Sequence, residues 1–255
     1  MKQTHWPRKL TIVRHGQSAG NVARDAAMQA DIERIDLSDR DADVPLSDLG
    51  REQARALGRW YSRREPGERP DVLLSSPYRR ACQTADIFRE AGGCEDDIEI
   101  CFDERLREKE FGILDGLTTT GILSIEPQQA EFRRILGKFY HRPPGGESWC
   151  DVILRLRSVM DTIALHHADQ HVMIFTHQVV VLCLRYIIEG MTEAEILKID
   201  RDADVANCAI TEYQFDEGAG KRGGLSLIRY NVTAPIEQGE MPVTFAPDAI
   251  AGARG

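Results

Sequence analysis

Apolar and polar positions follow two rhythms along the chain, short unbroken apolar runs and longer stretches at helical spacing. Leu10-Thr11-Ile12-Val13, Val72-Leu73-Leu74 and Val172-Met173-Ile174-Phe175 read as buried strands, because such short, β-branched runs suit a sheet covered on both faces. Ile98 to Phe102 predicts a further strand. Asp48 to Arg63 follows Ser47, a favourable N-cap, and sets Leu49, Gln53, Leu57 and Trp60 at helical spacing. Tyr78 to Ala91 starts after Pro77 with Ala81, Ala85 and Phe88 on one stripe, and Trp149 to His167 repeats Val152, Leu156, Val159 and Ile163. Val179 to Ile188 is apolar almost all round, the mark of a buried helix. Thr192-Glu193-Ala194-Glu195 is a capping box that opens a short helix.

Strands alternating with helices predict an α/β protein, a single domain over residues 1–255 with a three-layer α/β/α arrangement and a mostly parallel sheet. Its core is expected at about 10–232. Ala209 to Phe215 and Leu225 to Tyr230 flank the Gly-rich turn Glu217 to Gly224 and predict a late hairpin or edge pair. Arg24 to Asp48 is acid-rich with little apolar content and reads as an exposed excursion. An inserted helical lid is expected at 117–144, and a loose tail at 235–255.

Composition narrows the function classes. The chain has 255 residues, 42% apolar and 29% charged, which excludes disordered and fibrous proteins. Lys and Arg number 32 against 41 Asp and Glu, a net charge of -9. Neither a nucleic acid nor an anionic membrane is an expected partner, since both demand surplus basic residues. Homo-oligomers are compatible with the sequence, which leaves the oligomeric state open. Met1 to Lys9 is polar and basic and leaves no room for a signal-peptide apolar core; the charge-free stretch His171 to Leu184 is too short and polar to span a bilayer. The six cysteines show no metal-like spacing and read as reduced thiols. A cytoplasmic location is therefore expected, and the sequon at Asn231 reads as chance.

The candidate chemistry follows the strands. The first runs into Arg14-His15-Gly16, the second into Ser75-Ser76-Pro77-Tyr78-Arg79-Arg80, and the third into Thr176-His177-Gln178. In an open α/β sheet, ligands bind beyond the carboxyl ends of the strands, where helix N-termini point outward. Two histidines and up to three arginines would meet there. Such a cluster calls for an anion, and a phosphoryl dianion fits guanidinium forks. Two arginines at a helix start oppose the macrodipole, consistent with a bound anion.

The same residues resemble a known family. Leu10 to Ser18, with Asn21, is similar to the signature of the histidine phosphatase superfamily, which includes phosphoglycerate mutases. Ser75 to Ala85, Leu106-Arg107-Glu108-Lys109-Glu110-Phe111-Gly112 with Asp115-Gly116, Gly145-Gly146-Glu147-Ser148 and Phe175 to Gln178 resemble its later blocks in order, and Pro45 to Ala54 also fits. The resemblance covers roughly 10 to 232 and implies a phosphoglycerate mutase-like fold. It implies that His15 is the nucleophile that becomes phosphohistidine, that Arg14, Arg80 and His177 grip phosphoryl oxygens, and that Glu108 is the proton donor. Asn21 lines the phosphate loop, and Gln178 and Gln17 complete the implied substrate-binding set. Arg80 is preferred to Arg79 because the family arginine directly precedes the alanine. Glu108 is preferred to Glu104 and Glu110 because the family glutamate lies four residues before the glycine of Phe-Gly.

The function this implies is hydrolysis of small phosphate monoesters, a metal-independent phosphatase of the phosphatase-type branch, with no cofactor and a small phosphorylated substrate as partner. Glu108-Lys109-Glu110-Phe111 departs from the mutase block, in which Arg and His follow the glutamate. Mutase-type transfer and a non-catalytic phospho-ligand binder are the alternatives. Arg133, Arg134, Lys138, His141 and Arg142 in the lid are candidates for a second anionic group of the substrate. His166, His167 and His171 have metal-like spacing but lack an acidic or Cys partner, so no metal site is expected.

Overall fold

The computed structural model describes residues 5–220 and 223–245. In chain order the elements are β1 (Lys9–Arg14), α1 (Ala19–Gln29), α2 (Asp48–Ser62), β2 (Val72–Ser75), α3 (Arg79–Glu90), β3 (Ile100–Phe102), α4 (Thr119–Ile125), α5 (Pro127–Tyr140), α6 (Trp149–His166), β4 (His171–Thr176), α7 (Gln178–Glu189), α8 (Glu193–Asp202), β5 (Ile210–Asp216), β6 (Gly224–Val232) and α9 (Ala234–Gln238). The six strands lie in the order β3-β2-β4-β1-β5-β6. β1 to β4 are mutually parallel where they pair, and β5 turns antiparallel against β1 and β6. The expected hairpin is thus an antiparallel edge on a parallel sheet.

Side-chain alternation along the strands builds the two faces. Leu10 and Ile12 of β1, Leu74 of β2 and Val172 and Ile174 of β4 cluster with Trp149, Leu156 and Ile163 of α6 and with the apolar α7. Val13, Leu73, Met173 and Phe175, one position out of phase, cluster with Leu57 and Tyr61 of α2 and Ala85 and Phe88 of α3. These are the expected three layers. Each fully buried Leu, Ile or Phe stabilises the fold by about 1.5–3 kcal/mol relative to exposure. Among the described residues no helix is long and apolar enough to cross a membrane.

Register places the chemistry. Arg14 pairs with Thr176, and Ser75 with Phe175, so β1, β2 and β4 end at the same level. His15, Ser76 and His177 therefore leave the sheet at one edge.

Two expectations need correction. Arg24 to Asp48 is not simply an exposed excursion: its first residues complete α1, and the following segment reaches back to the sheet edge. Helix α1 buries only Asn21 and Ala27 and is held at its start by a Ser18–Asn21 capping box. The tail is not loose as far as residue 245. Ile236 of α9 is buried against Ala56, and Gln53 Nε2 donates to Pro242 O and Thr244 Oγ1, both at 2.9 Å. The rest of that expectation, 246–255, lies outside the described residues, as do 221–222 of the Gly-rich turn.

Candidate active site

The loop after β1 is shaped by close approach of backbone to backbone. A Cβ on Gly16 would stand 2.5 Å from Gly50 O, and one on Gly50 would stand 1.9 Å from Gln17 O. Only glycine at both places lets the start of α2 press against residues 16–17. His15 N donates to Thr176 O (2.8 Å) and Gly16 N to Thr84 Oγ1 (3.1 Å), tying the loop to β4 and α3.

The side chains then converge. His15 is 4% exposed, Arg14 3%, Arg80 5% and His177 0%, so four ionisable groups share one desolvated cluster. His15 Nδ1 lies 2.7 Å from Gly16 O. A carbonyl only accepts, so Nδ1 carries the hydrogen and neutral His15 keeps its lone pair on Nε2. Arg80 Nε donates to that Nε2 at 3.3 Å. Burial first, and then the charges of Arg80 and Arg14, hold His15 well below the usual imidazole range. His177 is depressed by burial, by Arg80 and by His15 itself; the two rings meet edge to face at 5.1 Å. His177 Nε2 lies 2.8 Å from Ser76 Oγ. Arg14 donates to the Val205 carbonyl.

Above this cluster lies a cavity of about 370 Å³. Arg14, His15, Asn21, Arg80, Glu108 and Gln178 line it. Asn21 Oδ1 accepts from Ser18 N (3.0 Å) and from Asn207 Nδ2 (3.4 Å), which leaves the amide NH₂ as the group Asn21 can offer. Gln178 Nε2 donates to Asp204 Oδ1 at 2.9 Å, while its buried Oε1 has no hydrogen-bond partner among the described residues. Glu108 sits on the segment between β3 and α4, where Glu147 locks the backbone. Arg155 donates to both Glu147 oxygens (2.9 and 3.0 Å) and to Glu108 O (3.2 Å), and Glu110 N donates to Glu147 Oε2 (3.0 Å). Burial alone would raise the Glu147 carboxyl, but the bonds and charge of Arg155 outweigh it and hold Glu147 ionised below its usual range. Glu147 is thus a strut for the Glu108 segment.

An imidazole kept neutral, with its unprotonated nitrogen beside guanidinium donors, can attack an electrophilic phosphorus, and a carboxyl group on the same cavity wall can, when protonated, give its proton to the leaving group. A family model described as the histidine phosphatase superfamily (branch 1) matches residues 10–225. The chain belongs to that superfamily. A 6-phosphofructo-2-kinase/fructose-2,6-bisphosphatase of Caenorhabditis elegans is 31% identical over 70% of the chain, a match that spans 33% of that relative's length. A probable phosphoglycerate mutase, GpmB, of Yersinia enterocolitica is 26% identical over 90% of the chain and 95% of its own. A solved mycobacterial glucosyl-3-phosphoglycerate phosphatase, complexed with VO3, is 25% identical with TM-score 0.68, covering 88% of this chain and 99% of its own.

In this member of the histidine phosphatase superfamily, some of the expected site residues do not line the cavity. Gln17 does not line the cavity: its Oε1 accepts from Ser47 Oγ at 2.7 Å, at the cap of α2. His177 lies behind the lining residues and is wholly buried. No residue of 117–144 lines the cavity, so this segment does not roof it; Leu117, Ile122 and Ala130 form a small core of their own with Leu114. Lys138 pairs with Asp200, Arg142 with Asp151 and Arg134 with Glu131, while His141 Nε2 meets Gln129 Oε1 at 3.2 Å. Arg133, Lys138 and His141 line a separate small recess with Lys109 and Phe111. The wall is built instead by Arg24, Arg34, Leu37, Asp39, Asp41 and Val44, together with Phe111, Asp115 and Gly116. Asp41 and Asn207 carried no sequence signal, because each is paired with its partner only through the fold.

Of the three histidines with metal-like spacing, His171 is buried with Nε2 at 2.8 Å from Thr11 Oγ1, and His167 Nδ1 lies 2.9 Å from Gln170 Oε1. Among the described residues no three His, Cys, Asp or Glu side chains gather as a metal site would require.

Proposed function

We propose that the protein is a phosphatase that hydrolyses phosphate monoesters of small molecules through a phosphohistidine on His15. The observation that carries this reading is the hydrogen-bonded tautomer of His15, with Nδ1 on Gly16 O and Nε2 facing the Arg80 guanidinium. Nε2 attacks phosphorus as the ester P–O bond breaks, and Glu108 gives its proton to the departing alkoxide. Water then attacks the phosphohistidine, Glu108 takes back a proton, the P–N bond breaks, and inorganic phosphate leaves. Arg14 and Arg80 stabilise the charge on the phosphoryl oxygens throughout, with Asn21, Gln178 and the buried His177 completing the pocket. The phosphatase named among the solved relatives supports hydrolysis, as does the Lys109-Glu110 sequence after Glu108.

The test is product analysis with a sugar phosphate and a phosphoglycerate. Stoichiometric inorganic phosphate supports hydrolysis. Return of the phosphoryl group to a second hydroxyl of the acceptor, without phosphate release, establishes the mutase reading that the Yersinia relative suggests.

A further inference from the structure

Arg80 already holds an anion of its own. Its Nη1 donates to Asp41 O at 2.5 Å and lies 3.0 Å from Asp41 Oδ1, and its Nη2 donates to Asp41 Oδ2 at 3.1 Å. Nε of the same guanidinium faces His15 Nε2. One buried fork therefore joins the proposed nucleophile to a carboxylate, and a phosphoryl group on His15 Nε2 would come within reach of the same donors. Both anions prefer the paired, two-pronged contact that a guanidinium offers.

The segment bearing Asp41 is anchored on both sides and crosses the cavity wall between. On one side Ile35 N donates to Gly116 O (2.9 Å) and Thr118 N to Glu33 O (3.1 Å). On the other, Leu46 N donates to Gln83 Oε1 (2.8 Å) and Ala19 N to Pro45 O (2.9 Å). Asp41 opens a single 3₁₀ turn, Asp41–Asp43, in the stretch between these anchors. Its side chain remains 39% exposed while that of Arg80 is 6% exposed, so the carboxylate can turn to solvent and the guanidinium cannot.

We propose that Asp41 is a positioning residue for phosphate exchange. It holds the Arg80 fork oriented before the ester binds, yields the fork to the phosphoryl group, and returns to it as inorganic phosphate leaves. This rests on the phosphatase reading above and adds to it a built-in competitor that weakens product binding. A ligand whose site is contested by an internal anion binds with an affinity reduced by the population of the contested state.

The experiment is calorimetric titration of the full-length protein with inorganic phosphate, comparing wild type, Asp41→Asn and Asp43→Asn. Asp43 is two residues away and pairs with Arg40, so it controls for loss of one negative charge nearby. Asp41→Asn is expected to bind phosphate about tenfold more tightly, and Asp43→Asn within about twofold of wild type. A folding defect would not produce a gain in affinity. If Asp41→Asn does not fold, Asp41→Ser is titrated with the same expectation. Equal or weaker binding by the folded Asp41 variant, or an equal gain in Asp43→Asn, overturns the inference alone. Absence of phosphate binding by wild type, together with no turnover of an aryl phosphate, overturns the phosphatase reading and this inference with it.

Discussion

Arg80 Nε points at His15 Nε2 across 3.3 Å, and that nitrogen is the one the Gly16 carbonyl leaves unprotonated. The pair explains why two basic groups can lie buried together: one carries fixed charge, and the other is kept neutral by burial first and then by that charge. It also defines what a lysine could not replace. Arg80→Lys keeps the charge but loses the planar fork, so kcat/KM is expected to fall about 10²–10³-fold with the fold retained. Steady-state kinetics beside a melting curve checks this; a loss below about threefold would remove the fork from the reaction.

Glu108 is assigned to the leaving oxygen, so its effect depends on how badly that oxygen needs a proton. Glu108→Gln is expected to cost about 10²–10⁴-fold on alkyl phosphates and far less on nitrophenyl phosphate. Rates across a series of leaving groups give the answer, and equal losses throughout would exclude the acid role.

Four buried histidines make stability depend on pH. His15 and His177 are held well below their usual range, mainly by burial, and His141 and His171 are lowered to about 4, again mainly by burial. Between about 4 and 6.5 the unfolded chain binds protons at these rings that the native state refuses. Stability is therefore full above about 6.5 and falls as pH drops below it. Denaturant unfolding at pH 7.5, 6.0 and 5.0 is expected to show decreasing midpoints, with most of the loss below pH 6.5. A midpoint independent of pH over that range would contradict the burial of neutral imidazoles.

Asn207 braces the loop that bears His15 from the far side. Its Nδ2 donates to His15 O at 3.0 Å, and its Oδ1 accepts from Thr244 Oγ1 at 3.0 Å. Asn207→Leu removes the shorter of the two hydrogen bonds to the buried His15 carbonyl, leaving Cys208 N at 3.3 Å, at a cost of about 0.5–1.5 kcal/mol. Thermal melting and kcat should both fall, with KM little changed; an unaltered melting temperature would show that the bridge is dispensable.

The parts of this architecture written in local pattern were legible beforehand. The strands around Leu10, Val72 and Val172 and the helices after Ser47, Tyr78 and Ser148 fall where apolar spacing places them. The convergence of Arg14, His15, Arg80 and His177 followed from their common position after parallel strands, and Glu108 was placed by resemblance. What escaped was set by contacts between distant, locally unremarkable residues. Asp41 meets Arg80 across 39 positions, and Asn207 reaches the His15 carbonyl 192 residues away. The basic residues Arg133, Lys138 and Arg142 looked like a second anion site because charge is visible in a sequence and its partner is not. Asp200 and Asp151 claim two of them. The acid-rich segment misled in the opposite sense: low apolar content suggested solvent exposure, yet Asp41 and Val44 form cavity wall.

In the proposed reaction every turnover passes through a covalent phosphoryl group on His15 Nε2. Rapid quench of the wild type with a ³²P-labelled aryl phosphate, followed by peptide mapping, measures it most directly. An acid-labile, base-stable adduct is expected on the peptide containing His15, formed and lost at rates compatible with turnover, and no adduct on His15→Ala. Undiminished aryl phosphate hydrolysis by His15→Ala, or turnover by wild type with no labelled histidine at any quench time, would contradict it.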